Sequence, residues 1–232
     1  MRRLLGLVVA ASVGMAALAA EAGDAVVVEL FTSQGCSSCP PADALLSELA
    51  EKDDIIALAL HVDYWDYIGW ADSLARPEHT ERQKAYAAAS GKRMIYTPQF
   101  VIGGSDRVTG YEPLEMATVI ERHRAAPRPI VLSAVRDGEV VRIEARAVGP
   151  VEGPVVVQVV RYVPLERVDI TRGENAGRTF EYHNAVNLWI EVGRWSGTGS
   201  YRATTRIAGE HPVAVILQRD GHGPVLAAAR AR

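Results

Sequence analysis

Two hydrophobic patterns divide the chain. Between residues 25 and 126, apolar runs too dense for a half-exposed strand alternate with stretches of helical spacing. Val26, Val27, Val28, Leu30 and Phe31 make residues 25–31 apolar on both faces, and residues 55–62 repeat that pattern. Strands buried on both faces are what a parallel sheet covered by helices requires. Leu45, Leu46 and Leu49 recur at helical spacing within residues 43–51, and Leu114, Ala117, Val119 and Ile120 do so within residues 112–124. A further helix is expected over residues 79–90, closed by Gly91. Residues 99–102 and 107–109 flank Gly103-Gly104-Ser105-Asp106, a hairpin signal.

Beyond Ala126-Pro127-Arg128-Pro129, read as a linker, the helical spacing fades. Strand-like runs recur at residues 130–135, 140–147, 155–163, 179–190, 201–207, 213–218 and 225–229. Short turns such as Asp137-Gly138 and Asp220-Gly221 separate most of them. About seven strands over roughly 100 residues predict an antiparallel sandwich. The expected organisation is an α/β domain over residues 24–126 followed by an all-β sandwich domain over residues 130–232.

The first residues follow a different rule. Arg2 and Arg3 precede an uncharged run over residues 4–18 that ends in small residues. A basic start, an apolar stretch and a small-residue cleavage site make residues 1–22 an expected signal peptide. The stretch is short of the roughly 20 residues of a membrane span. A periplasmic or secreted bacterial location is therefore expected, with no membrane association after cleavage. A net charge of −3 over 232 residues offers no electrostatic reason for binding nucleic acid.

Chemistry concentrates in the two cysteines, Cys36 and Cys39, spaced Cys-Ser-Ser-Cys between the first strand and the first helix. Dithiol–disulfide exchange needs that spacing: Cys36 as a thiolate held by helix N-terminal amides, and Cys39 close enough to close the ring. Beside Gly35, Cys36 is expected to be the more exposed of the two. A bridge spanning two residues constrains little of the unfolded chain, which favours a chemical role over a structural one. Two other readings stay open: a copper or other soft-metal module using Cys36, Cys39 and His61, and a redox-inert binding protein with a structural disulfide. His61 and Asp63 share one face at the end of the second strand. Tyr64, Trp65, Tyr67 and Trp70 crowd the next loop, as a groove or as loop packing. Residues 172–177 form a polar turn, by default structural, with contact to the thiol site as the alternative. His183, His211 and His222 match no ligand spacing.

The order of strand, Cys-x-x-Cys, helix and strand, then Thr97-Pro98 before a hairpin and a last helix, resembles the thioredoxin fold over residues 25–126. More narrowly, residues 31–41, 61–70 and 172–177 resemble a secreted bacterial thioredoxin-like family of unknown function, domain of unknown function 1223. The resemblance implies a cis-proline at Pro98 beside the thiols, leaving the Thr97 backbone to pair with an extended substrate. It also implies proton transfer by a buried strand carboxylate, a place held by Glu29 one residue farther from the cysteines than in that fold. Ser37 and Ser38 depart from the usual proline between the cysteines, and Pro40-Pro41 follow them. The expected function is a thiol–disulfide oxidoreductase acting on protein or small-molecule thiols and disulfides, without a cofactor. Its expected catalytic residues are Cys36, Cys39, Pro98 and Glu29, with Thr97, Trp65 and Tyr64 as a substrate groove.

Overall fold

A computed structural model describes residues 25–232, and the expected signal peptide lies outside them. The first half runs β1 (Val26–Thr32), α1 (Pro40–Ala50), β2 (Ile55–His61), α2 (Pro77–Ala89), β3 (Gln99–Ile102), β4 (Asp106–Thr109) and α3 (Pro113–Ala125). A proline opens each of these helices, a position where the missing N–H had no helical partner to lose. The second half is all strand: β5 (Ile130–Asp137), β6 (Val140–Ala147), β7 (Val155–Ile170), β8 (Arg178–Trp195), β9 (Ser200–Arg206), β10 (Val213–Arg219) and β11 (Val225–Ala231).

The expected fold class, a thioredoxin-like α/β domain followed by a β-sandwich, is not what these elements build. Eight strands form one mixed sheet in the order β11-β10-β7-β8-β2-β1-β3-β4, and β5-β6-β9 form a second, three-stranded sheet. Four strands of the second half thus extend the sheet of the first. The join is β8 running parallel to β2 through the pair Ala59–Ala185. Asn184, left-handed at φ 51°, fastens it by donating from Nδ2 to the Ala57 carbonyl at 2.9 Å. A strand buried on both faces still needs partners on both edges, because unpaired backbone groups are costly in a core. Hydrophobic spacing reports the faces of β2 but is silent on which distant strand covers its edge.

Three clusters fill the interior. One face of the large sheet packs Val28, Leu30 and Ala57 against Leu45 and Leu46 of α1 and Met116 and Ile120 of α3. At its other end the same sheet packs Val157, Val215 and Ala227 against Leu132 and Ile143 of the small sheet. The third cluster joins both halves, with Val27, Phe31, Leu58 and Tyr86 against Val160, Val186 and Ile216. Each valine, leucine, isoleucine, phenylalanine or methionine among them, fully buried, contributes about 1.5–3 kcal/mol. Continuity of this third cluster is what makes the large sheet one body rather than two.

Candidate functional site

Strands β1 and β2 run parallel with Thr32 opposite His61, so their C-terminal ends finish together. Val28 and Leu30 on β1, and Ala57 and Ala59 on β2, face α1; the two-residue period puts Thr32 and His61 on that same face. From these strand ends leave residues 33–39, which carry the cysteines, and the aromatic loop that follows β2.

The two loops are tied to each other. The Gln34 amide donates to Asp72 Oδ2 at 2.7 Å, and Trp70 Nε1 donates to Gln34 Oε1 at 2.8 Å. A Cβ on Gly35 would stand 3.2 Å from Trp65 Cβ and Ile68 Cδ1, so a small residue lets the loops meet. Cys36 and Cys39 are joined as a disulfide with their Cα atoms 5.4 Å apart. The Ser38 hydroxyl lies 3.5 Å from Cys36 Sγ.

Two expectations about Cys36 need correction. First, its margin of exposure over Cys39 is negligible and both are buried: Cys36 is 2% and Cys39 0% accessible, while Ser37 and Ser38 between them face solvent. The loop between β7 and β8 lies against this segment. There Asn175, itself buried, donates from Nδ2 to the carbonyls of Gln34 at 2.9 Å and Cys36 at 3.1 Å. The turn at residues 172–177 therefore meets the thiol site. Second, the start of α1 offers a thiolate little. Pro40 and Pro41 carry no N–H, the Ala42 and Asp43 amides both donate to the Cys39 carbonyl at 2.9 and 3.1 Å, and the Cys39 amide donates to the Cys36 carbonyl.

A cluster of titratable groups lies under that helix start. Cys39 and Asp43 are one turn apart and share a face of α1. Thr32 Oγ1 donates to Asp43 Oδ1 at 2.8 Å. Burial pushes the Asp43 carboxyl up to about 7, against the pull of His61 and the Thr32 hydrogen bond and with added repulsion from Asp72. His61 Nδ1 donates to Asp72 Oδ2 at 2.8 Å, and its Nε2 is buried without a hydrogen-bond partner. Burial alone would lower the His61 pKa; the charge and hydrogen bond of Asp72, with the charge of Asp43, raise it instead. Burial opposes ionisation of Asp72 as well, but His61 and the amides of Gln34 and Leu74 hold its carboxyl below the usual range. Tyr182 of β8 packs edge-on to the His61 ring at 4.7 Å.

The remaining expected residues fall around this centre or away from it. Glu29 is away: it points to the opposite face of the sheet, toward α2, where Arg82 and Tyr86 bind its carboxylate. It does not reach the cysteines, because alternation along β1 sends Glu29 and Thr32 to opposite faces. The Thr97–Pro98 bond is cis. Gln99 pairs with Phe31 across the ladder, which places Pro98 beside the end of β1 from which the cysteine loop leaves. Trp65 Nε1 donates to Thr97 Oγ1 at 2.7 Å, and Trp65 stacks on exposed Tyr67. Tyr64 donates to Gln83 of α2 at 3.1 Å and also meets the Thr97 side chain, and its burial pushes the phenol up to about 12. The proposed metal set of Cys36, Cys39 and His61 does not assemble: among the described residues no three His, Cys, Asp or Glu side chains gather to hold an ion.

Residues 27–218 match the family model described as "Protein of unknown function (DUF1223)". The chain belongs to the DUF1223 family. It is similar to the crystal structure of protein AGR_C_4864 from Agrobacterium tumefaciens, at 32% identity and a TM-score of 0.76, over 89% of this chain and 93% of that one. A likeness to hypothetical protein PH1083 from Pyrococcus horikoshii OT3 is at 12% identity and a TM-score of 0.23, over 44% of this chain and 87% of that one, and carries no argument. No curated protein matches the chain.

In this DUF1223 chain the sequence reading missed Asp43 and Asp72 and did not single out Asn175 within its turn. Asp43 had a readable signal, since it stands four residues after Cys39 in an otherwise apolar helix start. Asp72 had none, because it reaches the cysteine loop from a distant loop; Asn175 lies in the polar turn whose contact with the thiol site was the alternative expectation.

Proposed function

We propose that this DUF1223 protein exchanges disulfides with protein or small-molecule thiols outside the cytoplasm, using Cys36 and Cys39. The observation that carries this reading is a buried acid–base group, Asp43 and the His61–Asp72 pair, with Asp43 one helical turn from Cys39. A bridge closing so short a loop adds little stability, so a titratable group one turn from it has a chemical use rather than a structural one.

In this reading a partner thiolate attacks Cys36 Sγ, the Cys36–Cys39 bond breaks, and Cys39 leaves as a thiolate. Asp43, with its carboxyl at about 7, supplies the proton Cys39 takes up. A second partner thiolate then attacks the partner sulfur of the mixed disulfide, closing the partner disulfide and releasing Cys36 as a thiolate that takes up the second proton. The partner loses two electrons and two protons as its disulfide forms, and the cysteine pair gains them; the reverse sequence oxidises a partner dithiol. Ser38, 3.5 Å from Cys36 Sγ, is the hydroxyl available to a thiolate there. Export is supported by the leader pattern of Arg2, Arg3 and residues 4–18.

Burial of both sulfurs favours a second reading, a redox-inert binding protein in which the bridge is a staple. Equilibration with glutathione or dithiothreitol buffers, read by alkylation and mass, separates the two. An exchange pair sits above about −300 mV and a staple below it. A potential in the lower range removes the exchange reading.

A further inference from the structure

The loop that joins β7 to β8 is fastened to the cysteine loop by the side chain of Asn175. Within residues 171–177 only Asn175 is buried, and its neighbours on both sides are exposed. Both Nδ2 hydrogens of Asn175 go to carbonyls that flank the first cysteine, those of Gln34 and Cys36. Its Oδ1 accepts from Arg178 Nη1 at 3.1 Å. The loop keeps its own shape independently of that fastening. The Gly177 amide donates to the Ile170 carbonyl at 2.7 Å, and the Ala176 amide donates to the Gly173 carbonyl at 3.2 Å. Gly173, at φ 75°, completes the approach: a Cβ there would stand 3.1 Å from Trp70 Cβ, in the aromatic loop beside the thiols. A preformed loop held by two hydrogen bonds can lift without unfolding the sheet behind it, since local opening needs only the local contacts to break.

We infer that the tip of the β7–β8 hairpin is a latch: it closes the disulfide at rest and lifts, on release of Asn175, to admit an incoming thiol. As regulation of that site, the inference rests on the exchange reading. Its consequence is kinetic. Reduction waits for opening, so the rate levels off at high reductant instead of rising in proportion to it. A partner protein that offers carbonyl acceptors to Asn175 would open the site by replacing the bonds to Gln34 and Cys36.

The test is the rate at which dithiothreitol reduces the oxidised protein, followed by alkylation and mass across a range of dithiothreitol concentrations. Asn175→Ala removes both donors and is expected to raise the rate on the order of tenfold, as loss of two hydrogen bonds implies. Gly173→Val, strained at a positive φ and crowded against Trp70, is expected to act in the same direction. Val157→Ala lowers global stability from the far core and is expected to leave the rate unchanged. The latch is overturned if Asn175→Ala reduces within twofold of the wild type. It is equally overturned if Val157→Ala accelerates reduction as much, because access would then run through global unfolding. The equilibrium potential keeps the two claims apart. A potential in the exchange range with an unchanged Asn175→Ala rate removes the latch and leaves the exchange. A potential in the staple range with an accelerated rate leaves the latch and removes the exchange.

Discussion

Glu29 and Arg82 form a two-point ion pair within the interior, Nε to Oε2 at 2.6 Å and Nη2 to Oε1 at 3.0 Å. Glu29 is inaccessible to solvent and Arg82 is 8% exposed. Tyr86 adds a donor to Glu29 at 2.6 Å, and the guanidinium also reaches Gln158 and Gln218 of the second half and stacks on Trp189. The pair therefore ties β1 and α2 to β7, β8 and β10.

Replacing Glu29 with glutamine leaves the Arg82 charge buried without its counter-ion. We expect a loss of about 3–5 kcal/mol in urea unfolding, the usual penalty for breaking one side of a buried pair. The pH dependence of disulfide reduction should not change, because Glu29 lies on the sheet face away from the cysteines. A shifted profile would return Glu29 to the proton pathway.

Asp43 makes stability depend on pH. Its carboxyl titrates near 3.8 when unfolded and at about 7 in the fold. Between those values the folded chain binds the extra proton, so stability present below pH 3.8 is lost as pH rises to about 7. Asp43→Asn, which keeps an acceptor for Thr32, should retain that stability in unfolding curves measured at pH 8. It should also flatten the rise in thiol release between pH 6 and 8, a readout a structural residue would leave alone.

The His61–Asp72 pair has a related signature. A histidine whose folded pKa is raised contributes stability in full below pH 6.5 and loses it as pH rises through the folded value. Asp72→Asn should move the His61 ring titration downward in an NMR pH series, since burial is then less opposed. Its cost in unfolding should be larger at pH 6 than at pH 9. Faster amide exchange at Gln34 is also expected, because Asp72 Oδ2 holds that N–H.

Opening the disulfide should cost little. Loop-closure entropy for so short a ring amounts to about 2 kcal/mol at most. Unfolding in urea with excess phosphine should show a loss no greater than that, with the native circular dichroism retained. A loss well above it would favour the staple.

Local pattern carried much of the first half. Val26 to Phe31 and the run in β2 are buried on both faces, as their unbroken apolar character requires, and Leu45, Leu46 and Leu49 do face the sheet. The strands of the second half were legible for the same reason, although β7 and β8 extend well past the runs that announced them. Their pairing was not legible. A sandwich and a shared sheet present the same alternation, because side-chain spacing encodes which face is buried and not which strand lies alongside. Glu29 misled for a related reason: its burial was readable in an apolar strand, but its partner Arg82 lies 53 positions away on another element.

The sequence by itself determined the local chemistry: two cysteines three positions apart ahead of a helix, a Thr-Pro step before a hairpin, and strands with one or two buried faces. These follow from nearest-neighbour spacing along a chain whose geometry repeats every two or 3.6 residues. Only the tertiary structure decided that Asn175 holds the cysteine loop, that Asp43, His61 and Asp72 gather in one buried cluster, and that one sheet spans both halves. Those outcomes depend on satisfying buried polar groups and strand edges across long stretches of chain, and many different pairings satisfy the same local pattern equally well.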